Sequence, residues 1–389
     1  FPIGLVGYHS PRSPRSGTAF LVTDAVSGLR RQHVGPYARH VSEPTPADVV
    51  VVGAGPAGLR AASLLHAAGR SVVVLEARGR VGGRLLSVPC GEHRVDLGAT
   101  WFWPDERRVV ALVEQLGIDV FAQHLDGDMM YEPDAGPQRV PGNQLDVRSG
   151  RFEQGAQSMP EALARRLPHD TVHFDAGARS IRTVGVVLLV TSDRSTWSAA
   201  AVILAVPPAT AVASIAIDGL EASVRSVASA TPVWMGAAVK VVARYDRPFW
   251  RDVGLAGAAF SHVGPLREIH DMSGPGGRSA ALFGFAQPGS GAPAPDHDAV
   301  LAQLRVLFGP LAAEPTDLWI QDWRREPFTV APDTLALTDY RTYGHQVYQR
   351  PSLAGRLHWA ATETSPTAPG HIEGALAAAE RAAAAVLAG

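Results

Sequence analysis

The chain has 389 residues and a mass of 41.1 kDa, a length that suits two domains or one large α/β unit with an insertion. Hydrophobic residues at 46% and charged ones at 19% supply a sizeable core and exclude global disorder, and a net charge of −2 offers no basic field to nucleic acid or an anionic membrane. The single cysteine, Cys90, excludes an intrachain disulfide and a multi-cysteine metal site, and no apolar run is long enough to span a bilayer.

Residues 1–46 are rich in Pro, Arg, Ser and Gly and read as a surface arm, with packing on a second subunit as its functional reading. They lack the basic start, apolar run and cleavage site of a secretion signal, so a cytoplasmic protein is expected. From Ala47 the pattern changes. Asp48 to Val52 is a β-branched run, as in a buried parallel strand, and Gly53-Ala54-Gly55-Pro56-Ala57-Gly58 follows. Leu59 to Ala68 predicts a helix stopped at Gly69, and Ser71 to Leu75 a second strand ending at Glu76. Arg107 to Leu116, Gln157 to Arg166, His297 to Phe308 and His371 to Leu387 predict further helices. Thr171 to Phe174, Val186 to Thr191, Ala200 to Ala205, Gly236 to Tyr245 and Arg356 to Ala360 predict strands, with Pro207-Pro208 ending the third. Asp126 to Gly150 reads as loop or short strands.

A glycine triplet between a buried strand and a helix, with an acid ending the next strand, is the context of a dinucleotide site. Gly53 allows the tight turn, Gly55 lets backbone approach a pyrophosphate, and Gly58 lets helix and strand pack closely. The helix N-terminus offers free N–H groups to phosphate, and Glu76 is placed to accept the hydroxyls of an adenosine ribose.

These glycines leave NAD and FAD open. The next segment, Glu76-Ala77-Arg78-Gly79-Arg80-Val81-Gly82-Gly83-Arg84, resembles the extended fingerprint of the flavin-containing amine oxidase family. The resemblance continues through Asp96-Leu97-Gly98-Ala99-Thr100-Trp101, which looks like the segment passing over the flavin ring. It includes Arg151 to Gly155, Val202 to Pro208, Val239-Lys240-Val241 with Arg247 to Trp250, and Trp323 to Pro327. It ends in Trp359 to Thr364 and Gly370-His371-Ile372-Glu373-Gly374-Ala375, and so runs from about Ala47 to the C-terminus.

The resemblance implies a Rossmann-like, discontinuous FAD-binding domain with a second α+β substrate domain on a mixed sheet. Residues 47–125, 151–232 and 351–389 would form the first, and 126–150 and 233–350 the second. It implies non-covalent FAD as cofactor, a small amine or amide as substrate, O2 as acceptor, and a homodimer as a further partner state; no metal, nucleic acid or membrane is expected. By the same resemblance Pro56, Ala57, Ala77, Arg78, Gly83, Arg84, Gly98, Ala99, Thr100, Trp101, Ala178, Trp323, Glu363, Gly370, His371 and Ile372 join Gly53, Gly55, Gly58 and Glu76 around the cofactor. Arg84 would meet a phosphate or ribose, and Glu363 the ribityl or pyrophosphate region through backbone or water, since a free carboxylate is repelled by phosphate. In the family a lysine holds a water near flavin N5; Lys240 falls there and is the only lysine in the chain.

Three departures bear on substrate. Of the two aromatic residues that flank the flavin in relatives, one falls at His371 and the other near Pro332 or Asp333. His371 reads either as a proton acceptor or substrate donor, or as a polar wall. No cysteine stands near Pro332, where some relatives attach FAD covalently. The stretch from Phe121 to Arg151 is short where larger relatives carry a helical roof, which predicts a more open site. Trp101, Phe102 and Trp103 read as pocket lining or core, Arg324 and Arg325 as a paired and a solvated arginine, and His169 with His173 as no metal pair. The arginine-rich, alanine-rich composition and the altered pocket point to bacterial specialised metabolism. The rival readings are a flavin desaturase or dehydrogenase acting on a C–C bond and a non-catalytic flavoprotein scaffold.

Overall fold

The computed structural model describes residues 43–286 and 292–389. The arm read at 1–46 lies outside these up to residue 42, and its last residues are already strand, because the first strand is Thr45–Val52. Val49 to Val52 are buried on both faces between the parallel strands Val72–Leu75 and Thr196–Leu204, which explains the unbroken valine run. These belong to an eight-stranded sheet completed by Val172–His173, Val187–Ser192, Ala178–Val184, Ala216–Ile217 and Leu357–Trp359.

The first helix is Pro56–Ala67, three residues earlier than its helix-forming run suggests. Proline fits the first helical position, where its missing N–H has no partner to lose. A Cβ on Gly58 would drive into the carbonyl oxygen of Gly53, so only glycine lets this helix lie so close to the strand. The last helix, Ile372–Ala388, packs its buried alanines Ala375, Ala379, Ala382 and Ala383 into the same core cluster as the first. His371 is its N-cap rather than its first helical residue. Pro208 likewise opens a helix, Pro208–Ser214, where the proline pair reads only as a stop.

The second sheet has seven strands: Asp317–Asp322, Val239–Arg244, Ala281–Ala286, Glu268–Asp271, Leu255–Ser261, Asp128–Glu132 and Gln138–Val140, in that spatial order. Its small and charged strand residues leave no clear period in the sequence. The short Phe121 to Arg151 stretch supplies the hairpin that ends this sheet, its first strand parallel to Leu255–Ser261. A hairpin of Ser87–Cys90 and His93–Asp96 leads from the glycine pair into the segment at Gly98. Among the described residues no helix is long and apolar enough to cross a membrane.

Candidate active site

The glycine turn is built as its spacing requires. Gly53 has φ +103°, in the region that favours glycine, and a Cβ there would meet the backbone of Ala205. Gly55 differs: a Cβ would find only Gly82 O, 4.0 Å away, so open space faces the turn. Pro56, Ala57 and Gly58 form the first helical turn, which has no side-chain cap and keeps its N-terminal dipole available to an anion. Gly83 has φ +56° and would bring a Cβ within 3.5 Å of the Gly55 Cα, so the two glycine motifs lie against each other.

Glu76 is buried, and its carboxylate accepts the N–H of Ala54 (2.8 Å) and of Arg78 (2.9 Å). Two backbone donors hold it, and its remaining lone pairs stay free for hydroxyls. The Ala176 N–H donates to the Glu76 carbonyl at 2.8 Å, which sets Gly177, the residue before Ala178, beside Ala77. Arg78 turns away from this corner. Its guanidinium bonds Glu326 and Thr329, each at 2.8 Å, and so ties the fingerprint to the Trp323 to Pro327 stretch.

Arg84 and Glu363, both expected near the cofactor, are brought together. They form a bidentate pair (2.6 and 3.0 Å), and the Glu363 carboxylate is fully buried. The carboxylate is therefore not free to repel phosphate, because the guanidinium neutralises it. The Trp234 N–H also donates to Glu363, at 3.3 Å. Close by, the Tyr343 hydroxyl is buried without a partner. Burial, then the Glu363 carboxylate, hold this phenol well above its usual range, so it stays a donor. An open glycine cradle, an uncapped helix start, a ribose acid and an orphaned buried hydroxyl fit the adenosine and pyrophosphate of FAD.

At the other end, a Cβ on Gly98 would enter the Arg84 carbonyl, and the Ala99 N–H donates to that same oxygen at 3.1 Å. Lys240 lies on Val239–Arg244 with 1% of its surface exposed. Its Nζ donates to the Gly98 carbonyl (2.8 Å) and the Thr100 hydroxyl (2.6 Å) and stands 4.2 Å over the Phe283 ring. Burial lowers its pKa to about 7, with Arg151 acting in the same direction and Asp96 against it. Asp96 is itself buried; burial lifts its carboxyl although Lys240, Ser87 and the Ala156 N–H favour its ionised form. The Trp323 indole N–H donates to Leu97 O at 2.9 Å and pins the segment from the other side.

Trp101 packs on Phe283 (5.2 Å) and edge-on to His270 (5.0 Å), whereas Phe102 is core against Phe152. Burial opposes charge on His270, but the hydrogen bond to Asp146 and the nearby Glu268 carboxylate outweigh it and raise its pKa. Trp103 lies 4.9 Å from the ring of His371. His371 Nδ1 sits 2.7 Å from Glu106 Oε1. The Thr362 hydroxyl accepts the Gly370 N–H and donates to the His371 carbonyl, and a Cβ on Gly370 would enter the Trp234 ring. Ile372, the first helical residue, is buried. Asp333, at the other cage position, is exposed in a short turn.

The remaining groups play other parts. Arg324 pairs with Asp322 at 2.8 Å, His169 is solvated, and His173 packs on Trp197. No cluster of three metal-type ligands gathers among the described residues. Glu106, Tyr343 and Trp234 escaped the sequence reading. For Glu106 one signal existed: an acid at a helix start sits well against the positive end of the helix dipole.

The profile of the family described as flavin containing amine oxidoreductase matches residues 56–151 and 122–387. A putrescine oxidase of Kocuria rosea is 28% identical over 465 residues, spanning 87% of this chain and 95% of that one. A putative flavin-containing monoamine oxidase of Mycobacterium tuberculosis is 28% identical over 448 residues, spanning 89% and 97%. The solved structure of a putrescine oxidase with bound putrescine superposes with a TM-score of 0.78 at 23% identity, covering 89% of this chain and all of that one, and so shares the fold. The chain belongs to the flavin containing amine oxidoreductase family. It is an FAD-dependent amine oxidase, with a Rossmann-like FAD fold joined to a mixed substrate sheet and the flavin held without a covalent bond.

Proposed function

We propose that this enzyme oxidises the C–N bond of a small amine or amide to an imine, with O2 as acceptor and H2O2 as product. Bound FAD supplies the redox chemistry, taking a hydride at N5 from the carbon that bears nitrogen. The carrying observation is Lys240, a buried ammonium fastened to Gly98 and Thr100 of the segment that passes the flavin ring in the family. Its charge, its fixed geometry and its exclusion from solvent suit it to hold a water for imine hydrolysis and to favour negative charge on reduced oxygen. Gly55, Ala57, Gly58, Glu76, Arg84, Glu363 and Tyr343 would hold the dinucleotide.

The domain division follows the same reading. Strands of the eight-stranded sheet come from the stretches assigned to FAD binding, and those of the seven-stranded sheet from 126–150 and 233–350, which supports it. The printed names of the relatives favour an amine over an amide. The rebuilt cage around His371 and the arginine-rich composition support a specialised bacterial substrate. The one free thiol needs no oxidising compartment, in keeping with the cytoplasm, and a homodimer belongs to the same proposal.

An anaerobic titration of the purified holoenzyme with amines, diamines and amides tests the reading. Bleaching of the oxidised-flavin band, with H2O2 formed when air is admitted, is the expected result. Bleaching reversed only by an added acceptor would replace the oxidase with a dehydrogenase. A flavin that no amine or amide reduces would overturn the proposal.

A further inference from the structure

His371 stands where relatives are expected to place an aromatic wall, and the structure fixes its backbone, one face of its ring and its Nδ1. Its backbone is pinned by the Thr362 hydroxyl on its carbonyl (2.8 Å) and by its own N–H on Ala368 O (3.2 Å). The Trp103 indole lies against the ring at an interplanar angle of 35°. Glu106, 6% exposed, is equally fixed: Oε2 accepts the Trp103 N–H at 3.0 Å and Oε1 meets His371 Nδ1 at 2.7 Å. An ionised carboxylate only accepts, so Nδ1 carries the hydrogen and the lone pair of the neutral ring lies on Nε2. The side chain keeps 36% of its surface open.

The other charges packed around this ring are accounted for. Glu373 of the same helix is taken by the Arg108 guanidinium and the N–H groups of Arg108 and Val109. Glu363 is taken by Arg84, and Asp105 and Arg107 face solvent. Glu106 is the carboxylate on the ring.

We propose that Glu106 and His371 form a base for the substrate: His371 Nε2 removes the ammonium proton of the incoming amine, and Glu106 is the positioning residue that sets its tautomer. This rests on the amine-oxidation reading. An aliphatic amine is about 99.9% protonated at neutral pH, as a lysine side chain is. An ammonium nitrogen has no lone pair to form the C=N bond as hydride leaves. In the proposed step one N–H bond of the ammonium breaks and one Nε2–H bond forms. The positive charge moves to an imidazolium beside Glu106, and no electrons change hands. The neutral amine is then ready for oxidation, and the proton later leaves to solvent.

Two measurements test it on the FAD-loaded enzyme. The first is the single-turnover rate of flavin reduction by an amine across pH, for wild type, His371→Gln and Glu106→Gln. His371→Gln should reduce about 100-fold more slowly at neutral pH, with the gap closing as pH rises toward the pKa of the free amine. Glu106→Gln should lose about 10-fold, because Nε2 is then no longer held as the bare nitrogen. The second is 15N-histidine NMR of the oxidised enzyme without substrate. It should show His371 protonated at Nδ1 and bare at Nε2, and mixed tautomers in Glu106→Gln.

Parallel pH profiles in all three proteins, or a proton on Nε2 of the neutral ring, would overturn the inference while leaving amine oxidation intact. If His371→Gln fails to hold FAD, Glu106→Gln and the NMR measurement decide alone. A wild-type flavin that no amine reduces would take down the amine-oxidation reading and this inference together.

Discussion

At the end of the site proposed to take the phosphates, the groups on offer are backbone atoms and glycine gaps from one strand–turn–helix, Gly53 to Gly58, answered by the second glycine pair at Gly82 and Gly83. At the flavin-ring end they are side chains brought from far apart: Lys240 reaches Gly98 across 142 residues and His371 reaches Glu106 across 265. The first end is set by local conformation, so a short motif specifies it. The second exists only after two sheets and the closing helix have packed. Substitution should therefore damage the first through shape and the second through charge.

The buried ion pair of Arg84 and Glu363 should give the largest effect. Arg84→Met leaves the fully buried Glu363 carboxylate unpaired, which costs about 3–5 kcal/mol. The sign of its pH dependence follows from the burial. An unpaired buried carboxyl holds its proton more tightly in the folded protein than in the unfolded chain. The variant should then recover stability relative to wild type as pH falls, and thermal melts at several pH values check this. A constant deficit across pH would mean that the pair acts by packing alone.

Two glycines three residues apart sharpen the comparison. Gly58→Val pushes a side chain into the Gly53 carbonyl and should cost about 3 kcal/mol of apoprotein stability, at the upper end of overpacking. Gly55→Val meets nothing closer than 4.0 Å and has an ordinary φ of −76°, so the apoprotein should melt near wild type. Its side chain instead fills the phosphate's space. FAD affinity should fall about 100-fold, equal to about 2.7 kcal/mol of lost charged hydrogen bonds. Equal melting loss in both would refute the separation of roles, and flavin fluorescence titration measures the binding arm.

The same contrast explains what the sequence could tell. The valine run, the glycine triplet, Glu76 and the helices Arg107–Leu116 and His297–Phe308 are local patterns, and they stand where the residues put them. Lys240 is marked by its motif and by being the only lysine, but its low pKa arises from burial that no window of sequence contains. Arg84 and Glu363 were each singled out in the sequence, yet their pairing was not, because no window of sequence joins residues 279 positions apart. Glu106 carries only the signal of an acid at a helix start and gains its meaning from His371. The seven-stranded sheet was mostly silent because strands such as Leu255–Ser261 are alanine and glycine, with no alternation to read.

Lys240 offers the next test, this time through charge. Lys240→Met should keep FAD and slow re-oxidation by O2 about 100-fold, the loss of one fixed charge facing a developing anion. In wild type the ammonium gives up its proton near pH 7. The re-oxidation rate should therefore fall as pH rises through about 7, and the variant should show no such step. A step that persists in Lys240→Met would assign it to another group.

The smallest effect belongs to Cys90, which neither end should need. It is buried among Val95, Leu97, Val242, Met272, Ala281 and Phe283, and its carbonyl accepts the Ser279 hydroxyl. Burial raises its thiol above the usual range, so it is a poor nucleophile. Cys90→Ala removes one methyl-sized group from a packed cluster and should cost about 1 kcal/mol, with flavin content and reduction rate unchanged. Acid denaturation should release all FAD from both proteins. Flavin retained by the wild-type pellet and absent from the variant would make Cys90 an attachment point. Flavin retained by both would move the bond to another side chain. Full release leaves every contact with the cofactor non-covalent, so that the backbone cradle at one end and the charge-setting side chains at the other must hold it together.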